Sequence, residues 1–181
     1  MAIHKIVVGG LILALGLIFS IRAYLKSQDV RGLYSQCSSM TTQTPKHIKA
    51  QSVLLESNDG YKTGVDCSAI SPVTIRKTGL YFVIAAGQVG SNKKDTQGGY
   101  LDLWLIRNGK PVANSNTRQS VRAAEDTAVL VSQAAMELNA GDTLSLGFRV
   151  SQANQGIGLI ATPATSEEPG IPSMIFTVIG F

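Results

Sequence analysis

Thr143-Leu-Ser-Leu-Gly-Phe-Arg-Val150 alternates without a break: Leu144, Leu146, Phe148 and Val150 are apolar, while Thr143, Ser145, Gly147 and Arg149 are small or polar. A period of two sends each set to its own face of the chain, so the stretch predicts a β-strand with one buried face. Just upstream, Asn139-Ala-Gly-Asp142 has the composition of a turn, and Ala128–Leu138 reads as another strand. The two strands are expected to pair as an antiparallel hairpin. A second hairpin is signalled by Asn108-Gly109, between Tyr100–Arg107 and Pro111–Asn116. Asn-Gly supplies the positive φ angles that a tight type I′ turn needs.

Working outward, Gly79–Val89 (Gly-Leu-Tyr-Phe-Val-Ile-Ala-Ala-Gly-Gln-Val) and Met174–Phe181 (Met-Ile-Phe-Thr-Val-Ile-Gly-Phe) are apolar in both phases. Such strands belong in the middle of a packed sandwich or at a subunit contact, and the second is expected to be tucked into a sheet. Trp104 shares a phase with Tyr100, Asp102 and Ile106, opposite Leu101, Leu103 and Leu105. One of these faces is expected to meet the core and the other a neighbouring subunit. Tyr81, Trp104, Phe148, Phe176 and Phe181 are the large side chains expected on the core and subunit-contact strands. Short strands with regular turn signals and no helical period predict an all-β jelly-roll sandwich over residues 49–181.

The start of the chain follows another rule. Residues 6–21 contain no charged side chain, and with Ala23, Tyr24 and Leu25 beyond Arg22 the apolar segment reaches the length of a membrane-crossing helix. Arg22 is placed to snorkel and Tyr24 to sit at the interface. A cleaved signal peptide is the competing reading, but no small-x-small cleavage site follows the run. Residues 1–26 are therefore expected to form a single transmembrane α-helix that anchors the chain in a lipid membrane. Gly10/Ala14 and Gly16/Ser20 form two small-xxx-small pairs, the spacing that lets helices approach closely in lipid. Orientation stays open. Arg22, Lys26 and Arg31 favour the cytoplasmic side for the domain, whereas its type and the cysteines favour an extracytoplasmic or virion-surface location.

Residues 27–48 are rich in Ser, Thr and Gln and sustain no apolar period. They are expected to be a polar stalk, or an extended segment lying against the domain. Cys37 and Cys67 are the only cysteines. One intrachain bridge would tie the stalk to the first strands; free buried thiols and an inter-subunit bridge are the alternatives.

Charge is distributed unevenly. Residues 1–49 hold six basic side chains against Asp29, a net of +5, while residues 50–181 hold ten basic and eleven acidic ones, a net of −1. The basic surplus flanks the membrane segment, where anionic headgroups lie. The domain has no surplus to offer nucleic acid.

Four motifs in order resemble the C1q/tumour-necrosis-factor-like domain: Gly79-Leu-Tyr-Phe, then Leu105-Ile-Arg-Asn-Gly-Lys-Pro-Val112, then Met136-Glu-Leu-Asn-Ala-Gly-Asp142 with the Thr-Leu-Ser-Leu that follows, then Pro172–Phe181. They span about residues 50–181. Pro172-Ser-Met-Ile-Phe stands where the family often has a Ser-Ser-Phe-Ser-Gly run, and there is no collagen-like Gly-X-Y stalk. The resemblance implies a ten-strand jelly roll that forms a homotrimer through an apolar face. Relatives of tumour necrosis factor also join this domain to one N-terminal membrane helix.

Nothing in the sequence signals chemistry. There is no G-x-S-x-G elbow, no P-loop and no His/Cys cluster with zinc spacing, so no catalytic residue, metal or cofactor is expected. Asp95 and Asp102 flank Gly98-Gly99, where solvated loop charge is weighed against a calcium site. Arg107, Lys110, Arg118 and Arg122 gather in sequence around the Asn108-Gly109 turn and are the candidate ligand-binding residues, for acidic glycans or phosphates if they share a face. Otherwise they are a solvated edge that discourages aggregation. The expected function is a non-enzymatic, membrane-anchored binding or structural trimer, on a bacterial surface or as a virion spike or minor capsid protein. An accessory subunit of a larger membrane complex is the alternative.

Overall fold

The computed structural model describes residues 30–31, 33–56, 65–68 and 71–181, with the backbone course alone for 65–68 and 71. The expected membrane helix, with Gly10, Ala14, Gly16 and Ser20, lies outside these residues. Among the described residues no helix is long and apolar enough to cross a membrane.

The described chain is all β. In order it forms β1 (Tyr34–Ser39), β2 (Gln51–Ser52), β3 (Val65–Ser68), β4 (Ser71–Ile75), β5 (Gly79–Ser91), β6 (Gly99–Arg107), β7 (Lys110–Pro111), β8 (Thr117–Val121), β9 (Ala128–Leu138), β10 (Thr143–Val150), β11 (Ile157–Leu159) and β12 (Met174–Gly180). Two antiparallel sheets result. The first runs β1-β12-β5-β9, with β11 also on β5; the second runs β3-β4-β10-β6, with β2 on β10 and β7 and β8 on β6.

The core lies between the sheets and follows the alternation. Leu144, Leu146, Phe148 and Val150 of β10 meet Leu101, Leu103 and Leu105 of β6 on the inner face of the second sheet, all buried. Tyr81, Val83 and Ala85 of β5, Leu130 and Leu138 of β9, and Phe176 and Val178 of β12 cover them from the first. Each of the larger side chains gains about 1.5–3 kcal/mol from leaving water. Tyr81 keeps its polar end satisfied by donating from its hydroxyl to the Lys77 carbonyl at 2.8 Å. The choice between the two faces of β6 is thereby made: the leucines face inward and Trp104 faces outward.

Two expectations need correction. Ala128–Leu138 and Thr143–Val150 are strands with the expected bounds, but they are not a hairpin. β9 pairs along its whole length with β5, whereas β10 pairs with β6. The Asn139–Asp142 turn crosses from one sheet to the other, so Leu138 and Leu144 both enter the core. Period two dictates that each strand buries one face, but not which neighbour satisfies its backbone. The second correction concerns residues 27–48. Of the two readings offered, the extended one holds for residues 34–39, because β1 pairs residue by residue with β12 from Tyr34↔Ile179 to Ser39↔Met174. Val30 is buried as well, and its carbonyl accepts the N–H of Leu33 at 3.0 Å. The domain thus begins by Val30 and not at residue 49.

The Asn108-Gly109 hairpin forms as expected, with φ of 50° and 74°. Its second strand is brief, however. After Pro111 the chain loops out and resumes as β8, which pairs with the other half of β6. Ser115 closes the interruption: its hydroxyl donates to the Val112 carbonyl at 2.8 Å and accepts the Leu105 N–H at 3.0 Å. Ser132, buried on β9, donates to the Ser115 carbonyl at 2.6 Å, which joins the two sheets by a polar contact.

Candidate functional site

The outer faces of the two sheets differ sharply in chemistry. On the first sheet, β1, β5, β9, β11 and β12 hold one charged residue between them, Glu137 near the end of β9. Register sets its outer rows: Ala135, Phe82, Ile179 and Tyr34 lie across one line, Gln133, Ile84, Thr177 and Gln36 the next, and Val131, Ala86 and Ile175 the third. Leu80 (48% exposed), Val129 (65%), Val131 (40%) and Phe181 (55%) stand open on or beside this face. Phe181 tilts against Phe82 with ring centroids 6.5 Å apart. An antiparallel sheet facing water normally alternates apolar and polar residues. This one is largely apolar on its outer face too, with Gln133, Thr177 and Gln36 as neutral polar groups in one row and almost no charge, which is how a surface for association is built.

On the second sheet a carboxylate stands between two guanidinium groups. Asp102 of β6 lies directly across from Arg118 of β8 on one side and Arg149 of β10 on the other. Arg118 donates from Nε to Oδ1 at 2.6 Å and from Nη2 to Oδ2 at 3.0 Å, and Arg149 donates from Nε to Oδ2 at 3.1 Å. The Asp102 side chain is 2% exposed, against about half for each arginine. The Arg118 hydrogen bonds, with help from Arg149, outweigh burial and hold the Asp102 carboxyl below the usual aspartate range. Arg118 also stacks over Tyr100, its guanidinium carbon 3.6 Å from the ring centre. Trp104 lies next to this row, across from Gly147.

The four basic residues singled out from sequence are not brought together. Arg107 and Lys110 are cross-strand partners at one end of β6 and share an open pocket with Pro111, Val112 and Met136. Arg118 is five β6 residues away in register, about 17 Å, and Arg122 lies beyond the far end of β6, about 30 Å from Arg107. Arg107 is committed to Asp142 at 2.5 Å. Asp142 also accepts from Asn108 Nδ2 and from the Asn139 N–H, each at 2.7 Å. Burial opposes ionisation of Asp142, but these donors together hold its carboxyl below the usual range. Arg122 donates its backbone N–H to Asp126 at 2.7 Å. Asp102 is mid-strand and arginine-bound, away from any pairing with Asp95 in the loop. Among the described residues no group of three or more His, Cys, Asp or Glu could hold a metal.

Of the aromatic residues expected in core and subunit-contact strands, Tyr81, Phe148 and Phe176 are core, Phe181 is at the apolar outer face, and Trp104 is on the outer face of the other sheet. Cys37 is buried on β1 and is not a free thiol. The Cys67 side chain lies outside the described residues. Arg149 and Asp102 were not legible as a pair, because Arg149 meets Asp102 only once β10 is known to pair with β6.

Glu56 is a further group that sequence reading passes over. It accepts from the Thr41 hydroxyl at 2.6 Å, the Ser39 hydroxyl at 3.1 Å, and the Met40 and Thr41 N–H groups at 3.2 Å. These bonds, the Thr41 hydroxyl foremost, hold its carboxyl below the usual glutamate range and fasten the end of β1.

No family model matches the chain, and no curated protein matches it in sequence. Among solved structures, the crystal structure of murine APRIL at pH 5.0 matches with a TM-score of 0.50 and 11% identity, over 82% of this chain and 98% of that one. APRIL is a tumour-necrosis-factor-family jelly roll. At that identity the likeness is one of fold: two antiparallel sheets arranged as in a tumour-necrosis-factor-like domain.

Proposed function

We propose that this chain is a membrane-anchored display protein that works as a homotrimer, with no catalytic step. The observation that carries the reading is the apolar outer face of the first sheet, from Leu80 to Ala86 across to Val131 and Ile175, with Glu137 as the one charge in its strands. Face-to-face burial of such surface contributes about 25 cal/mol per Å² and needs no polar partners. The tumour-necrosis-factor-like fold supports three copies as the closed arrangement. The uncharged run at residues 6–21 supports a lipid anchor, and the buried Cys37, which is not a free thiol, supports a bridge to Cys67 in an extracytoplasmic or virion-surface setting. The first and third strands approach one another, as such a bridge requires.

The full chain, purified in mild detergent and weighed by light scattering, is expected at three times the protomer mass. A stable monomer at micromolar concentration would rule the reading out. Recovery only in a complex with other membrane proteins would support the second reading, an accessory subunit whose helix packs against others.

A further inference from the structure

The outer face of the second sheet is built differently from an ordinary solvated face. A Cβ placed on Gly147 would lie 2.5–2.8 Å from Cε2, Nε1 and Cζ2 of Trp104. Three ring atoms at nearly equal range mean that the indole lies flat on the Gly147 backbone, with its other face turned outward. Trp104 is partly exposed. Arg149 follows Gly147 by two residues on the same face, about 6.7 Å along the strand. Its one side-chain hydrogen bond among the described residues uses Nε, which leaves both terminal nitrogens as unused donors. Arg118 likewise keeps Nη1. Asp102 holds both guanidinium groups in place while cancelling only one of their charges.

The geometry points to a binding site for an acidic sugar on this face: a hexose ring stacks on Trp104, and its carboxylate is received by Arg149 with Arg118 beside it. The apolar face of a sugar ring suits a flat indole, and a guanidinium edge suits a carboxylate. Because Asp102 already fixes the arginine side chains, little rotamer freedom is lost on binding. The hydroxyl-bearing Ser52, across from Gly147, adds a polar neighbour at the platform's rim. Nucleic acid is disfavoured, since residues 50–181 carry a net charge of −1. The site uses the sheet opposite the apolar face and so does not depend on the assembly proposed above.

Trp104 is the only tryptophan, so its fluorescence reports on the site directly. The full chain in detergent, titrated with a glucuronate-containing hyaluronan tetrasaccharide, is expected to show a saturable change in intensity that half-molar salt weakens. Arg149→Gln should weaken binding about 10- to 100-fold, the worth of a hydrogen bond to a charged group, with thermal stability nearly unchanged. Asp102→Asn removes a negative charge yet should also weaken binding, because the arginines lose their anchor; if it folds poorly, Arg118→Gln with a calorimetric titration replaces it. No saturable signal, an equal response to uncharged chitotetraose, or an equal response to inorganic phosphate alone would each overturn the proposal, as would tighter binding by a folded Asp102→Asn protein.

Discussion

Single residues carry much of the fold's specificity. Gly147 is required because the Trp104 indole occupies the place of a side chain, so Gly147→Ala is expected to cost about 1–3 kcal/mol by overpacking and to red-shift the tryptophan emission. Differential scanning fluorimetry and emission spectra check both. Asp102 and Asp142 have carboxyls held below the usual value of 3.8, so the stability they contribute is complete above that value. It is lost as pH falls through the lowered native values, when the unfolded chain binds protons more readily than the folded one. The melting temperature should therefore drop steeply below about pH 4, and the drop should be shallower in an Asp142→Asn protein. A melting temperature indifferent to pH between 5 and 2 would contradict this assignment. The Asn108-Gly109 turn was legible from two residues because its φ requirement is local. The Asp142 network was not, because Arg107 and Asn108 lie more than thirty residues from their partner.

At the scale of elements, the long apolar strands were legible, their partners were not, and short strands such as β4, β8 and β11 went unread. Ala128–Leu138 and Thr143–Val150 have the bounds their alternation implies, yet they join different sheets. Alternation reports burial of one face, and a strand has the same alternation whichever neighbour its backbone meets. β1 was read only as stalk or as an extended segment against the domain for a related reason: Tyr-Ser-Gln-Cys-Ser-Ser lacks an apolar period, and it becomes a strand because β12 offers an open edge. A chain starting at residue 30 is expected to melt cooperatively, whereas one starting at residue 41 should lose cooperative melting or aggregate, since β12 then becomes an uncovered apolar edge. Circular dichroism melts distinguish the two. Within the core, Leu103→Ala should cost about 2–5 kcal/mol, as for other fully buried leucines.

For the whole molecule, polarity divides by sheet. A charge placed mid-face on the first sheet, Ile84→Glu, should convert the proposed trimer to monomer without lowering the monomer's secondary structure, measured by sedimentation velocity and circular dichroism. Reduction should lower stability by roughly 3 kcal/mol if Cys37 is bridged to Cys67 across about 30 residues, and Cys37→Ser should reproduce it in denaturant melts. The amino-acid sequence by itself determined that this is a β-sandwich, which strands are apolar on both sides, and where the tight turn falls, because these depend on alternation and local φ preferences. Only the tertiary structure decided which strands share a sheet, that Trp104 faces outward, and that the basic residues near the turn are scattered while Asp102 gathers Arg118 and Arg149. Those outcomes rest on backbone pairing between distant segments, which no periodicity within one segment encodes.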